Sequence, residues 1–454
     1  MKREVVITGI GILSPIGNGR GEFWHNCLAG TAAVETIPEQ WRDYNSYSSP
    51  IWAPMHEPDY TQYPLSRAEK MQMDPVQLFT LISADMAVAD AGFTKELRDE
   101  KKNTYILPEV HPDRCGVVMG TGNGGLVSYT GSAATHIVTP IKKTVDAYCK
   151  KMAGSDSSSD TPGPFRFSSR FNPFSVAMTM PNACSAVLSI KYSFPGLSMT
   201  VSSACASGTT AIGTAFRAIR TGDIDMALTG GAEYLADPYG GIFRAFDTAK
   251  TLVQADGNFD RANRPFDKKR SGFLFSGGGA AVLVLEEAEH ARRRGKQPVA
   301  AIESYSETCD AFTIMGMDPD GRQIDKMYST LFTNAACEPE DIAYINTHGT
   351  GTIINDETES RIIEKVFGKK PLVNATKSLT GHTIGASGAL ETAVTALSIQ
   401  DQFVHPCANL DDPIRELNFV TDARQEHEIE WALNQSFGFG GHIAGLILKK
   451  PALP

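Results

Sequence analysis

The stretch Ser202-Ser203-Ala204-Cys205-Ala206-Ser207-Gly208 decides how the chain folds. Before it stands Met199-Thr200-Val201, a short run that predicts a strand. After it, Ala211, Ile212, Ala215, Phe216 and Ile219 recur at helical spacing. Cys205 therefore falls at a strand-to-helix turn, with the helix N-terminus at its back. That end carries unpaired N–H groups and partial positive charge, and both favour a thiolate. Cysteines so placed have pKa values of about 3.5–7.5 instead of about 8.5. Small neighbours leave room for an approaching substrate. The same stretch also reads as a buried cysteine acting as a small hydrophobe. The C-terminal half decides between the two.

Outward from this turn, short apolar runs alternate with helical patterns. Residues 4–15 predict a buried strand ending in a turn at Gly9-Ile10-Gly11, with a helix over 20–29. Residues 36–75 read as irregular and 76–92 as a helix. Cys115-Gly116-Val117-Val118-Met119 reads as a strand opening into Gly120-Thr121-Gly122-Asn123-Gly124-Gly125. Those glycines lack the G-x-G-x-x-G spacing and the later acidic residue of a dinucleotide site, so they predict a tight turn beside a pocket. Residues 154–165 form a low-complexity surface loop. Met226 to Glu233 and Ala280 to Glu286 predict strands, and the basic helix 287–296 a solvated face. Near 298 the pattern restarts with Val299-Ala300-Ala301-Ile302. Ile342 to Asn346 and Leu372 to Thr376 follow as strands, then a helix over 386–400 and a closing hairpin of Ala432 to Gln435 with Ile443 to Leu448. Five strands on each side, separated by helices, predict an α/β fold with an internal duplication, in halves 1–298 and 299–454.

Composition narrows the function. With 454 residues, 42% hydrophobic and 21% charged, the chain can bury a large core. A formal net charge of −10 argues against nucleic acid as a partner. The eight cysteines form no CxxC pair and are scattered, which fits a reducing cytosol. No apolar run reaches the ~18 residues of a membrane span, and no signal-peptide pattern opens the chain. A cytoplasmic protein is expected.

Four loops at strand ends hold the chemistry-bearing residues: Cys205, His348, Lys377 with His382, and Ser436-Phe437-Gly438-Phe439-Gly440-Gly441. Sites in open α/β sheets form at the carboxyl ends of strands. A cysteine and two histidines there fit a nucleophile with basic partners. Zinc is the rival reading, but each of these residues lies alone between glycines with no close-spaced second ligand, so no metal is expected.

These blocks carry a resemblance. Ser203-Ala204-Cys205-Ala206-Ser207-Gly208, His348-Gly349-Thr350-Gly351-Thr352, Lys377-Ser378-Leu379-Thr380-Gly381-His382 and Asn434 to Gly441 resemble the β-ketoacyl-acyl-carrier-protein synthases, nearest to the synthase I/II type and the ketosynthase subunits of type II polyketide synthases. Pro265-Phe266-Asp267 and Gly272 to Leu285 match as well, and the likeness runs from Arg3 to Lys449. The resemblance implies a thiolase-like fold of two α/β halves in five layers, usually a homodimer. It implies that Cys205 takes an acyl chain from acyl carrier protein, with its amide and that of Phe437 as oxyanion hole. His348 and His382 would stabilise the enolate left when malonyl-carrier protein loses carbon dioxide. Lys377 would pair with Glu391 and orient His382, and Asp356 would help hold the histidine loop. Thr350 and Thr352 would bind the phosphopantetheine arm, Phe437 would act as a gate, and Phe439 would line the substrate site. Substrates arrive on that arm, so no separate cofactor is expected.

Departures point to a specialised pathway of polyketide or aryl-polyene type. His442-Ile443 replaces the usual Thr-Asn, and Asn123 stands where many synthase II members carry an apolar pocket-floor residue. Only Arg67, Lys70 and Lys250 remain of the carrier-docking cations, and the segment 133–175 is longer than in a housekeeping synthase. Two other classes stand beside the condensing enzyme. A chain-length-factor-like partner subunit would lack the cysteine, although this chain as the active half of a heterodimer stays open. A degradative thiolase would carry a second cysteine near the C-terminus, and residues 432–454 contain none.

Overall fold

The computed structural model describes residues 3–42, 46–152, 171–254 and 257–452. The short apolar runs become five principal strands in each half. These are β1 (Val5–Ser14), β2 (Cys115–Gly120), β3 (Ser198–Val201), β4 (Met226–Tyr234) and β5 (Gly278–Glu287), then β6 (Ala300–Cys309), β7 (Ile342–Asn346), β8 (Leu372–Asn374), β9 (Trp431–Gly438) and β10 (His442–Lys449). The first set pairs in the order β3-β2-β4-β5-β1 and the second in the order β8-β7-β9-β10-β6. In each, the first two pairings are parallel and the last two antiparallel. Antiparallel pairing of β1 with β6, Val5 opposite Ile302, joins the two into one 12-stranded sheet. The duplicated order is the repeat that the sequence pattern predicts.

Alternation along β5 shows why there are layers. Ala280, Val282 and Val284 face one buried cluster, and Ala281, Leu283 and Leu285 face another. A strand apolar on both faces must be covered on both. The outer face carries α1 (Pro75–Asp90), whose Phe79, Ile82 and Val88 share the first cluster. The inner face meets α3 (Ser207–Thr221) and α6 (Ser387–Asp401). In α6 every residue from Ser387 to Ile399 is buried, as an apolar helix between two sheets must be. Beyond the second sheet, α4 (Arg322–Ala335) and α5 (Ile353–Phe367) pack Leu331 and Ile362 against Leu433 and Ile447. The result is the five-layer α/β arrangement.

The two central helices touch at their N-termini. A Cβ on Gly388 would lie 2.2 Å from Thr209 Oγ1, and one on Gly208 would lie 2.7 Å from the Ala389 amide nitrogen. Larger residues at either position would drive the helix starts, and the residues they carry, apart.

Some expectations change. Gly9 and Gly11 do not turn the chain; β1 continues to Ser14, because both glycines lie where a Cβ would strike the backbone of α1. The basic stretch 287–296 is not wholly solvated: Arg294 pairs with Glu286 at 2.5 Å and stacks over Phe93. The glycine turn after β2 leads straight into α2 (Leu126–Met152). The expected loop at 154–165 lies outside the described residues. Among the described residues no helix is long and apolar enough to cross a membrane.

Candidate active site

Cys205 sits in a single 3₁₀ turn, Ala204–Ala206, between β3 and α3. Ala204 is held at φ +50°, a left-handed conformation that non-glycine residues seldom adopt. The Ser207 hydroxyl holds the turn, donating to the Ala204 carbonyl at 2.6 Å and accepting the Ser203 amide at 2.9 Å. Cys205 is 5% exposed. Burial pushes the Cys205 thiol up to about 12, against the pull of Lys377 and of the Phe439 amide that faces it. The depressed pKa expected from the helix end is therefore not what the fold delivers: loss of water outweighs the helix end.

Two histidines from the second half close on the sulfur. His382 Nε2 lies 3.0 Å from Cys205 Sγ, and its Nδ1 lies 2.9 Å from Ser387 Oγ, the first residue of α6. The His348 ring stands nearly perpendicular to that of His382, with centroids 5.6 Å apart. Burial and the nearby Lys377 charge hold both imidazoles well below the usual histidine range, so both are neutral. Lys377 Nζ donates to His348 Nδ1 at 3.2 Å, to the His348 carbonyl at 2.7 Å and to Glu391 Oε1 at 2.5 Å. An ammonium has no acceptor, so His348 Nδ1 must be unprotonated and its Nε2 carries the proton. Lys377 thus meets Glu391 and is turned toward His348 instead of His382, whose Nδ1 Ser387 already occupies. Burial raises the Glu391 carboxyl to about 7 while Lys377 pulls it back.

Carboxylates on α5 hold the histidine loop. Asp356 accepts the amides of Thr350, Gly351 and Phe266. Glu359, three residues on and so on the same helix face, accepts the His348 amide at 2.6 Å and the Gly349 amide at 2.9 Å. The sequence reading found the first and missed the second, although the spacing Asp356–Glu359 was the available signal. Gly351 at φ +85° lies so near the Gly272 carbonyl that a Cβ would come within 2.7 Å.

Cys205, His348 and His382 share one cavity of about 280 Å³, which Thr350, Thr352, Phe437 and Phe439 also line. Lys250, Met315, Ile353 and Ile354, exposed residues, line its mouth. The hydroxyls of Thr350 and Thr352 lie 2.9 Å apart. Phe437 is a buried strand residue opposite Ile443, its ring against His348. The half-buried Phe439, beyond the strand end, turns its amide to the thiol. The amide that faces the thiol is thus that of Phe439, while Phe437, the residue expected there, lies within β9 opposite Ile443. Asn123 stands outside the cavity lining, and its amide is held by Glu233 at 3.1 Å. Arg67 and Lys70 lie on the exposed helix Arg67–Gln72, away from the mouth lined by Lys250. Among the described residues no three His, Cys, Asp or Glu side chains gather to hold a metal.

A thiol, a base within hydrogen-bond reach, a second neutral imidazole and amides beside the sulfur suit acyl transfer through a thioester. The comparisons agree. Residues 2–291 match the family described as the β-ketoacyl synthase N-terminal domain, and 299–411 match its C-terminal domain. A 3-oxoacyl-[acyl-carrier-protein] synthase 2 of Coxiella burnetii is 33% identical, covering 99% of both chains. One of Synechocystis is 32% identical over 99% of this chain and 98% of its own. Among solved structures, a type II polyketide ketosynthase bound to a hexaketide in complex with its acyl-carrier protein has a TM-score of 0.81 at 25% identity, covering 99% of this chain and 100% of that one. The ishigamide ketosynthase/chain length factor gives 0.77 at 27%, covering both chains fully. The chain belongs to the β-ketoacyl synthase family, as a thiolase-fold acyltransferase of the 3-oxoacyl-acyl-carrier-protein synthase 2 type.

Proposed function

We propose that Cys205 is the acyl carrier of a decarboxylative condensation between an acyl thioester and a malonyl thioester, both delivered on acyl carrier protein. The observation that carries this is the contact of Cys205 Sγ with His382 Nε2 at 3.0 Å, with His348 in the same cavity. Cys205 sulfur attacks the incoming acyl carbonyl; the thiol proton leaves with the carrier thiol. The amides of Cys205 and Phe439 stabilise the oxyanion, each donor contributing about 10²–10³ in rate. The malonyl thioester then replaces the first carrier, its thioester oxygen accepting from His348 Nε2–H and the His382 ring. Carbon dioxide departs, the electron pair passes into the enolate, and the carbanion attacks the Cys205 acyl group, releasing the Cys205 thiolate, which takes up one proton from water to restore the thiol. Neutral donors suit this, since the negative charge appears only during reaction.

Lys377 and Glu391 set the His348 tautomer, and Asp356 shapes its loop. Thr350 and Thr352 bind the phosphopantetheine arm, Phe437 gates the acyl site beside His348, and Phe439 lines that site. No further cofactor is needed, and the halves 1–298 and 299–454 each supply part of the site. The proposed setting is the cytoplasm, in fatty-acid or polyketide elongation, with the aryl-polyene type favoured by the departures above. The assembly is a homodimer through β3, which pairs with β2 alone among the described strands and carries the exposed Met199. A heterodimer with a chain-length-factor-like subunit is the second reading, favoured by the likeness to the ishigamide ketosynthase/chain length factor.

Incubation with a panel of acyl-carrier proteins and mass spectrometry of the Cys205 peptide tests the reading. An acyl group on Cys205, chased by malonyl-carrier protein into a β-ketoacyl product, is expected. A thiol that stays unacylated with every donor would overturn it.

A further inference from the structure

Both halves open their central helix with the same construction. Ala204 at φ +50° begins the turn Ala204–Ala206, and Ser207 starts α3; Ile384 at φ +49° begins the turn Ile384–Ala386, and Ser387 starts α6. Ser207 Oγ accepts the Ser203 amide at 2.9 Å, and Ser387 Oγ accepts the Thr383 amide at 3.1 Å. Cys205 and Gly385 thus hold equivalent positions. The first turn faces an open cavity. The second is filled from within: Glu233, fully buried at the end of β4, accepts the Gly385 amide at 3.0 Å. The same carboxylate accepts the Gly122 amide at 2.7 Å, the Asn123 amide at 3.1 Å and the Thr121 hydroxyl at 3.3 Å. Nothing larger than glycine fits there, since a Cβ on Gly385 would lie 2.4 Å from the Gly122 nitrogen and 2.5 Å from Glu233 Oε2.

The pinned residue lies between two parts of the site. His382 is three residues before Gly385, and Ser387, whose hydroxyl meets His382 Nδ1, is two residues after it. We propose that Glu233 is a positioning residue: its carboxylate, seated where the twin turn would receive an oxyanion, pins Gly385 and so fixes His382 Nε2 against Cys205 Sγ. The inference rests on the role given to His382 above. A glutamine at 233 would set its amide NH₂ against a backbone N–H donor on either side, and only the Thr121 hydroxyl could turn to accept from it, at the cost of one pinned amide.

The test measures malonyl-thioester decarboxylation and iodoacetamide alkylation of Cys205 on the folded fraction of Glu233→Gln and Gly385→Ala. Both variants are expected to lose at least tenfold in kcat for decarboxylation with KM within twofold, and to change the alkylation rate at least threefold. A kcat within twofold of wild type in Glu233→Gln overturns the proposal. A fall in folded yield with unchanged kcat per folded molecule does so too, since that marks a merely structural carboxylate. If Glu233→Gln yields no folded protein, Gly385→Ala decides by the same criterion. If the wild-type enzyme decarboxylates no malonyl thioester, the reading of the reaction fails, and the alkylation rate alone judges the clamp: an unchanged rate overturns it.

Discussion

The turn at Cys205 and the turn at Gly385 share one plan, yet only the first carries a side chain into the cavity. The second gives its amide to Glu233, whereas no carboxylate meets the Cys205 amide among the described residues. A duplicated fold offers two equivalent anion-receiving sites, and this chain keeps one open and closes the other with its own carboxylate. The closed turn gains rigidity and delivers His382; the open one gains a nucleophile. The asymmetry also divides labour between the halves, with sulfur from the first and both imidazoles and the ammonium from the second.

The largest effect should come from the open turn. Cys205→Ala is expected to abolish condensation while malonyl decarboxylation survives, since the histidines and their supports stay in place. Product analysis by mass spectrometry checks this; full condensation by the variant would end the assignment. Next come His348→Ala and His382→Ala, each expected to lower decarboxylation about 10²–10³-fold, the usual cost of one donor to a developing oxyanion. The two should differ at the sulfur: only the His382 variant should change the pH profile of Cys205 alkylation, because only His382 touches Sγ. Equal effects on alkylation would mean the two imidazoles are not divided as described.

Lys377→Met tests the support layer. It removes the cation beside buried Glu391, which must then take up a proton or stay unpaired, and breaking a buried ion pair in this way costs up to roughly 3–5 kcal/mol. Urea unfolding should show the loss, and Lys377→Met/Glu391→Gln should recover most of it without restoring activity. Recovery of activity in the double variant would show that the ammonium does not set the His348 tautomer.

Much of this was legible in the residues. Apolar runs ending at glycine turns placed the strands, and Cys205, His348, Lys377 and His382 all stood at strand ends. What escaped depended on distances across the fold. Phe437 and Phe439 differ by two positions, and only the end of β9 at Gly438 decides which amide reaches the sulfur. Glu233 looked like one acid closing an apolar strand, and its partners lie more than a hundred residues away on either side. Lys377 and His382 are neighbours in sequence, so pairing them was natural, but Ser387 reaches His382 first. The thiol shift went the other way because a helix end can be read from sequence and exclusion of water cannot.

The smallest expected effect contrasts the site histidines with one outside it. His405 is fully buried, its Nδ1 donating to the Pro406 carbonyl at 2.9 Å and its Nε2 3.0 Å from Thr376 Oγ1. Burial alone lowers it to about 4, with no cation contributing, whereas Lys377 depresses both site histidines further. Below the ordinary histidine pKa of about 6.5 the unfolded chain takes up a proton that folded His405 refuses. Its stabilising contribution is therefore complete above that pH and is lost as pH falls toward 4. At about 1.4 kcal/mol per pH unit, the loss amounts to roughly 3 kcal/mol over that window. In His405→Gln the slope of unfolding free energy against pH should flatten by up to one proton over the same window, while condensation at pH 7 stays within threefold. An unchanged slope would show that His405 titrates alike in both states. The remaining acid sensitivity would then belong to the pair at the sulfur.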